Sequence, residues 1–126
     1  MSGEKEPKNI LIVDDEESVG LGMSEILKGA GFKAFYVTSG KDALEEVLKS
    51  RYSLVFMDMV MPGMNGLETF RKIKEISPVS KVVLFTGYFK DADTAIYQGI
   101  KEGMIDEFLR KPFFAEEIIT TAQRYS

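Results

Sequence analysis

The sequence predicts an α/β domain: a doubly wound, five-stranded parallel sheet with helices on both faces. Three observations predict it. Five short strand-like runs alternate with stretches of helical periodicity along one 126-residue chain. The first, third and fourth runs are apolar almost throughout, the pattern of strands covered on both faces rather than half-solvated ones. The runs also end in polar residues, where open α/β sheets place their sites.

Residues 1–7 read as a flexible polar lead, and residues 8–125 as a single domain. The run NILIVD, residues 9–14, is a buried strand. Val19, Met23, Ile26, Leu27 and Ala30 recur at helical spacing, and Gly29 and Gly31 stop that helix. Residues 32–37 form a second, less apolar strand suited to a sheet edge. Ser39 is placed to cap the helix that carries Ala43, Leu44, Val47 and Leu48. SLVFMD, residues 53–58, is the third strand. MPGMNG is a loop, followed by a helix with Leu67, Phe70, Ile73 and Ile76. KVVLFT, residues 81–86, is the fourth strand, and residues 93–102 are expected to be helical, with Gly103 near the stop. Residues 107–110 make the fifth strand, and Ile118, Ile119 and Ala122 mark a final helix over 115–125. Parallel neighbours need crossover connections, and right-handed crossovers give the doubly wound arrangement.

Composition narrows the chemistry. The chain is 44% hydrophobic and 29% charged, as ordinary globular proteins are. A net charge of −4 gives no electrostatic case for nucleic acid or an anionic membrane surface. No apolar run approaches the ~20 residues of a membrane span, and MSGEKEPK lacks the apolar core of a signal peptide, so a cytoplasmic location is expected. There is no cysteine and no histidine. Disulfides, thiolate metal sites, cysteine nucleophiles and His-based catalysis within the chain are therefore excluded. Chemistry must run on carboxylates, hydroxyls, lysine or backbone.

Those groups stand at the strand ends. The first strand runs into Asp14-Asp15-Glu16-Glu17, the third ends in Asp58, the fourth in Thr86, and Lys111 follows the fifth. Like charges repel, so the acid run calls for water, a cation or a helix start. A helix N-terminus accounts for Glu16 and Glu17 as solvated first-turn acids. Three carboxylates with one lysine leave the rim net negative, which suits a hard divalent cation, magnesium with manganese as an alternative. A hydroxyl and an ammonium are what a phosphoryl group needs on its remaining oxygens, and a carboxylate can itself accept that group.

LIVDDEE, LVFMDMVMPGMNG, LFTG and FLRKPF, in that order and near that spacing, resemble the receiver domain of the response-regulator family of two-component signalling. The resemblance covers residues 8–125. It implies a flavodoxin-like, CheY-like three-layer sandwich of strand order 2-1-3-4-5. It implies that Asp58 is the phosphoacceptor, and that Asp14, Asp15, Asp58 and the backbone carbonyl of Val60 hold Mg2+, Asp14 through a water. Thr86 and Lys111 would contact the phosphoryl group, Lys111 preceding a cis Pro112. Thr86 and Phe108 would form the switch, Phe108 turning inward as Thr86 moves. The implied donor is a sensor histidine kinase or phosphotransfer protein, which fits the absence of histidine here. The output domain or target protein is not named by the sequence. A phosphorylation-dependent homodimer is compatible with the family, as is either a stand-alone receiver or a piece of a longer regulator.

Two features depart from the family pattern. Thr86 and Lys111 lie 25 residues apart, a few more than usual. Val60 and Tyr88, two residues after Asp58 and Thr86, are bulky, and Val60 is apolar where polar residues are common; slow loss of the phosphoryl group is expected. Asn65, where the family often has Asp, reads as a neutral change. Two other readings are a phosphate-independent interaction module of the same fold and an aspartate-nucleophile phosphatase. The phosphatase wants a second Asp two residues after its nucleophile, where this chain has Val60.

Overall fold

The computed structural model describes residues 9–58, 66–86, 107–110 and 115–125, with the backbone alone described at 66, 67, 86 and 107–110. Five strands form one parallel sheet: β1 (Asn9–Val13), β2 (Lys33–Val37), β3 (Leu54–Asp58), β4 (Lys81–Thr86) and β5 (Glu107–Arg110). Their order is β2-β1-β3-β4-β5, as the resemblance implies. Four helices are described: α1 (Glu17–Gly29), α2 (Gly40–Lys49), α3 (Gly66–Ile76) and α4 (Ala115–Tyr125). The helix expected over residues 93–102, the lead at 1–7, and the positions Val60, Tyr88, Lys111 and Pro112 lie outside the described residues.

Successive strand side chains point to opposite faces, and both faces are covered. Leu11, Val13, Val55, Met57, Val82 and Leu84 pack with Ala43 and Val47 of α2 and Phe70 and Ile73 of α3. Ile10, Ile12, Leu54, Phe56, Val83 and Phe85 pack with Met23 and Leu27 of α1 and Ile118 and Ala122 of α4. This two-sided burial explains why the strands read as continuous apolar runs. Each fully buried Leu, Ile, Val or Phe contributes about 1.5–3 kcal/mol relative to exposure. The edge strand β2 is the exception, with Lys33 and Phe35 exposed.

Local signals account for the helix ends. Ser39 caps α2, its hydroxyl accepting the Asp42 amide at 3.0 Å. At the end of α1, Gly31 has a φ of +96°, the left-handed region where a side chain is costly. The Phe32 amide donates to the Leu27 carbonyl and the Gly31 amide to that of Lys28, both at 3.0 Å. That pattern turns the chain directly into β2.

Leu48, the last of the apolar positions carried by α2, is 69% exposed. It follows buried Val47 at the end of α2 and, with Ile76 and Val79, lines an open cleft of about 390 Å³. The apolar pattern continues one residue past the point where α2 still faces the sheet.

The amino edge of the sheet is laced together. The Ser53 amide and hydroxyl both donate to the Asn9 carbonyl, and the Asn9 side chain donates to the Arg51 carbonyl. The Lys81 amide donates to Ser53, the Ser80 hydroxyl to the Tyr52 carbonyl, and Lys74 to the Ser80 carbonyl. The starts of β1, β3 and β4 are thereby tied to one another.

Gly31→Ala should lower stability by about 1–2 kcal/mol, the cost of a left-handed L-residue. Gly22→Ala, on an exposed turn of α1 with nothing within 4 Å of the added carbon, should raise it by roughly 0.5–1 kcal/mol. Urea unfolding of the two variants beside the parent checks both signs.

Candidate functional site

Parallel pairing of β1 with β3 sets Val13 beside Met57. One residue further on, Asp14 leaves β1 and Asp58 closes β3, so the two acids meet at the carboxyl edge of the sheet. Asp15 follows Asp14, and all three side chains offer carboxylate oxygens lying within 4.8 Å of one another. Asp14 is fully buried and Asp58 is 5% exposed, whereas Asp15 is open to solvent.

Two like unit charges at about that separation repel by roughly 3–4 kcal/mol at an effective dielectric near 20. Backbone groups help to hold the cluster. The Asp14 amide donates to the Val37 carbonyl at 3.2 Å, joining the acid loop to β2. The Asp14 carboxylate in turn accepts the Glu16 amide through Oδ1 at 2.8 Å. Glu16 is the extended N-cap of α1 and makes no side-chain capping bond. Its backbone instead serves twice, the amide orienting Asp14 and the carbonyl receiving Val19 and Gly20. The acids of this segment also sit favourably beside the partial positive charge of the helix start.

Glu17 differs from the sequence expectation. It is exposed but not merely solvated, because the Tyr36 hydroxyl donates to its Oε1 at 3.0 Å. That hydrogen bond, assisted by burial and by the Glu17 charge, holds the Tyr36 hydroxyl above the ordinary tyrosine pKa, so it remains a donor. No local pattern signals this contact, since it joins residues 19 positions apart.

The donor set fits a hard divalent cation. Three carboxylates within one coordination sphere match magnesium, manganese or calcium and suit no soft metal. Asp14, Asp15 and Asp58 are thus brought together as the sequence predicts. Thr86 closes β4, in the strand next to that of Asp58, with its backbone opposite Arg110. Phe108 is the second residue of β5, in register with Leu84. Val60 and Lys111 fall outside the described residues.

Comparison with known proteins gives a consistent result. A family model described as the response regulator receiver domain matches residues 10–123. The sporulation initiation phosphotransferase F of Bacillus subtilis is 34% identical over 119 residues, covering 94% of this chain and 93% of that protein. The C4-dicarboxylate transport transcriptional regulatory protein DctD of Rhizobium meliloti is 34% identical over 116 residues, covering 92% of this chain but 25% of that protein. Among solved structures, a CheY-like response regulator receiver domain protein from Methanospirillum hungatei superposes with a TM-score of 0.87. It covers 94% of this chain and 92% of its own, at 22% identity, and so speaks for the fold.

Asp58→Asn removes one charge from the cluster while keeping its shape. In EDTA this variant should be more stable than the parent, because the like charge gathered in the cluster falls by one. Added Mg2+ should stabilise the parent more than the variant. Paired urea titrations with and without Mg2+ measure both differences.

Proposed function

The chain belongs to the response regulator receiver domain family, and on that premise we propose that Asp58 takes a phosphoryl group from a histidine kinase or phosphotransfer protein. The family makes it a phosphoacceptor signalling domain of two-component systems. The observation that carries the assignment of Asp58 is its nearly buried carboxylate beside Asp14 and Asp15 at the carboxyl edge. An Asp58 oxygen attacks the phosphorus of a phosphohistidine, the new O–P bond forms as the P–N bond breaks, and the imidazole, already protonated on its other ring nitrogen, keeps the electron pair and leaves as the neutral ring. The product is an acyl phosphate on Asp58.

Mg2+ held by Asp14, Asp15, Asp58 and the Val60 carbonyl would neutralise the charge gathered where the anionic phosphoryl meets three carboxylates. Asp14 is held in place by the Glu16 amide. Thr86 donates its hydroxyl to a phosphoryl oxygen and Lys111 pairs with another. Thr86 and Phe108 then act as the switch, shifting an existing equilibrium toward the active form. The output surface we assign comprises residues 93–102, β5 and α4. It serves an output domain, a target protein or a second phosphorylated copy. Among the described residues no helix is long and apolar enough to cross a membrane. A cytoplasmic location fits a kinase-fed switch of net charge −4.

Incubation with Mg2+ and acetyl phosphate should add one phosphoryl mass, ~80 Da, to the parent and none to Asp58→Ala, as read by intact mass spectrometry. Chelation of Mg2+ should abolish the gain. A kinase-independent adduct on Asp58→Ala would refute the assignment of Asp58. No adduct on the parent, even from a phosphorylated histidine phosphotransfer domain, would favour a phosphate-independent module. In the family the residue two after the phosphoacceptor influences the access of hydrolytic water, and the apolar Val60 should hold that water poorly. Val60→Asn should therefore shorten the lifetime of the phosphorylated form in the same assay, and a lifetime equal to or longer than the parent's would contradict this.

A further inference from the structure

We propose that Tyr36 is a positioning residue for the cation site, tying the first turn of α1 to β2 and so fixing Asp15. The inference rests on the reading of Asp14, Asp15 and Asp58 as cation ligands. Of these three, Asp14 and Asp58 are immobilised by burial and by their place at strand ends. Asp15 is exposed, sits in the connection between β1 and α1, and precedes an N-cap that makes no side-chain capping bond. Beyond the hydrogen bond from the Glu16 amide to Asp14 that spans it, its direction depends on how its flanks are held.

Two adjacent residues of β2 hold those flanks. On the amino side of Asp15, the Val37 carbonyl accepts the Asp14 amide. On the carboxyl side, the Tyr36 hydroxyl donates to Glu17 Oε1 at 3.0 Å. Asp15 is thus bracketed by two anchors on one strand. The second anchor is a hydroxyl bonding an ionised acceptor, which is stronger than a neutral pair.

The ring of Tyr36 is itself located by α1. Gly20 lies three residues after Glu17, on the same side of the helix. A Cβ at position 20 would stand 3.0 Å from Tyr36 Cβ and Cδ2, tight enough that the tyrosine would have to shift by a few tenths of an ångström. The absence of a side chain there lets the tyrosine pack close against α1 and reach Glu17. The brace therefore needs three residues together: Tyr36, Glu17 and Gly20. It also keeps the Glu17 carboxylate on the β2 side, outside the cluster formed by the three aspartates.

Groups that orient metal ligands from outside are typically worth about 10–100-fold in affinity. Tyr36 acts through a turn of backbone, so Tyr36→Phe should weaken Mg2+ binding by about three- to tenfold, at or below the low end of that range. The test is isothermal titration of the full, unphosphorylated chain with MgCl2. Glu17→Gln removes the charge but keeps a carbonyl to accept the hydroxyl, whereas Glu17→Ala removes both. In the parent background Glu17→Ala should bind Mg2+ more weakly than Glu17→Gln by a factor close to that of Tyr36→Phe. In the Tyr36→Phe background the two should bind alike. Urea midpoints in EDTA report stability separately. Parent-like Mg2+ affinity in Tyr36→Phe, or an unchanged gap between the two Glu17 variants in its background, overturns the proposal. Loss of stability without loss of affinity would make the brace structural and overturn it as well. Asp15→Asn is the control on the underlying reading: if it binds Mg2+ as the parent does, it is the ligand assignment that has failed.

Discussion

The register between β1 and β3 is the constraint on which the site depends. Val13 stands opposite Met57, so the next residue of one strand and the last of the other are both aspartates, side by side at one edge. In a sheet buried on both faces a slip of one residue would exchange the two apolar faces at once. The cores formed by Leu11, Val13, Val55 and Met57 on one side and Ile10, Ile12, Leu54 and Phe56 on the other forbid that slip. Core packing thereby enforces an arrangement of like charges that the acids would not adopt alone.

The second element of the design is how the chain leaves that edge. A helix usually begins with a side-chain cap, as α2 does at Ser39. α1 begins without one at Glu16, whose backbone amide donates to Asp14. The entry is secured from the neighbouring strand instead, through Val37 and Tyr36. An edge strand that looks peripheral in the sheet thus bears on the geometry of the acids.

Much of this was legible in the sequence, for reasons that differ by residue. The strands were readable because two-sided burial leaves an unbroken apolar run, as in LIV and LVFM. The acids were readable because strand ends in an α/β sheet have only one place to project. The Ser39 cap and the Gly31 turn follow from local backbone chemistry, which sequence carries directly. The Tyr36–Glu17 bond was not readable, since it depends on which strand neighbours α1 and on the empty space at Gly20. The exposure of Leu48 was unreadable for a similar reason: periodicity reports one face of a helix but not where its partner surface ends. For Thr86 and Phe108 the register of β4 and β5 is established, and for Val60 and Lys111 the family resemblance remains the guide.

The two edges of the sheet are built on opposite principles. At the amino edge, Asn9, Ser53, Ser80 and Lys74 stitch the strand starts together with attractive contacts. At the carboxyl edge, three carboxylates of like charge are gathered within reach of one another, held by the Val37 carbonyl and the Glu16 amide. The sheet therefore resembles a hand fan, riveted at one end and sprung at the other. Whatever neutralises or adds charge at the open end can redraw the rim while the rivet keeps the strand order, so a signal can be written there without rebuilding the protein.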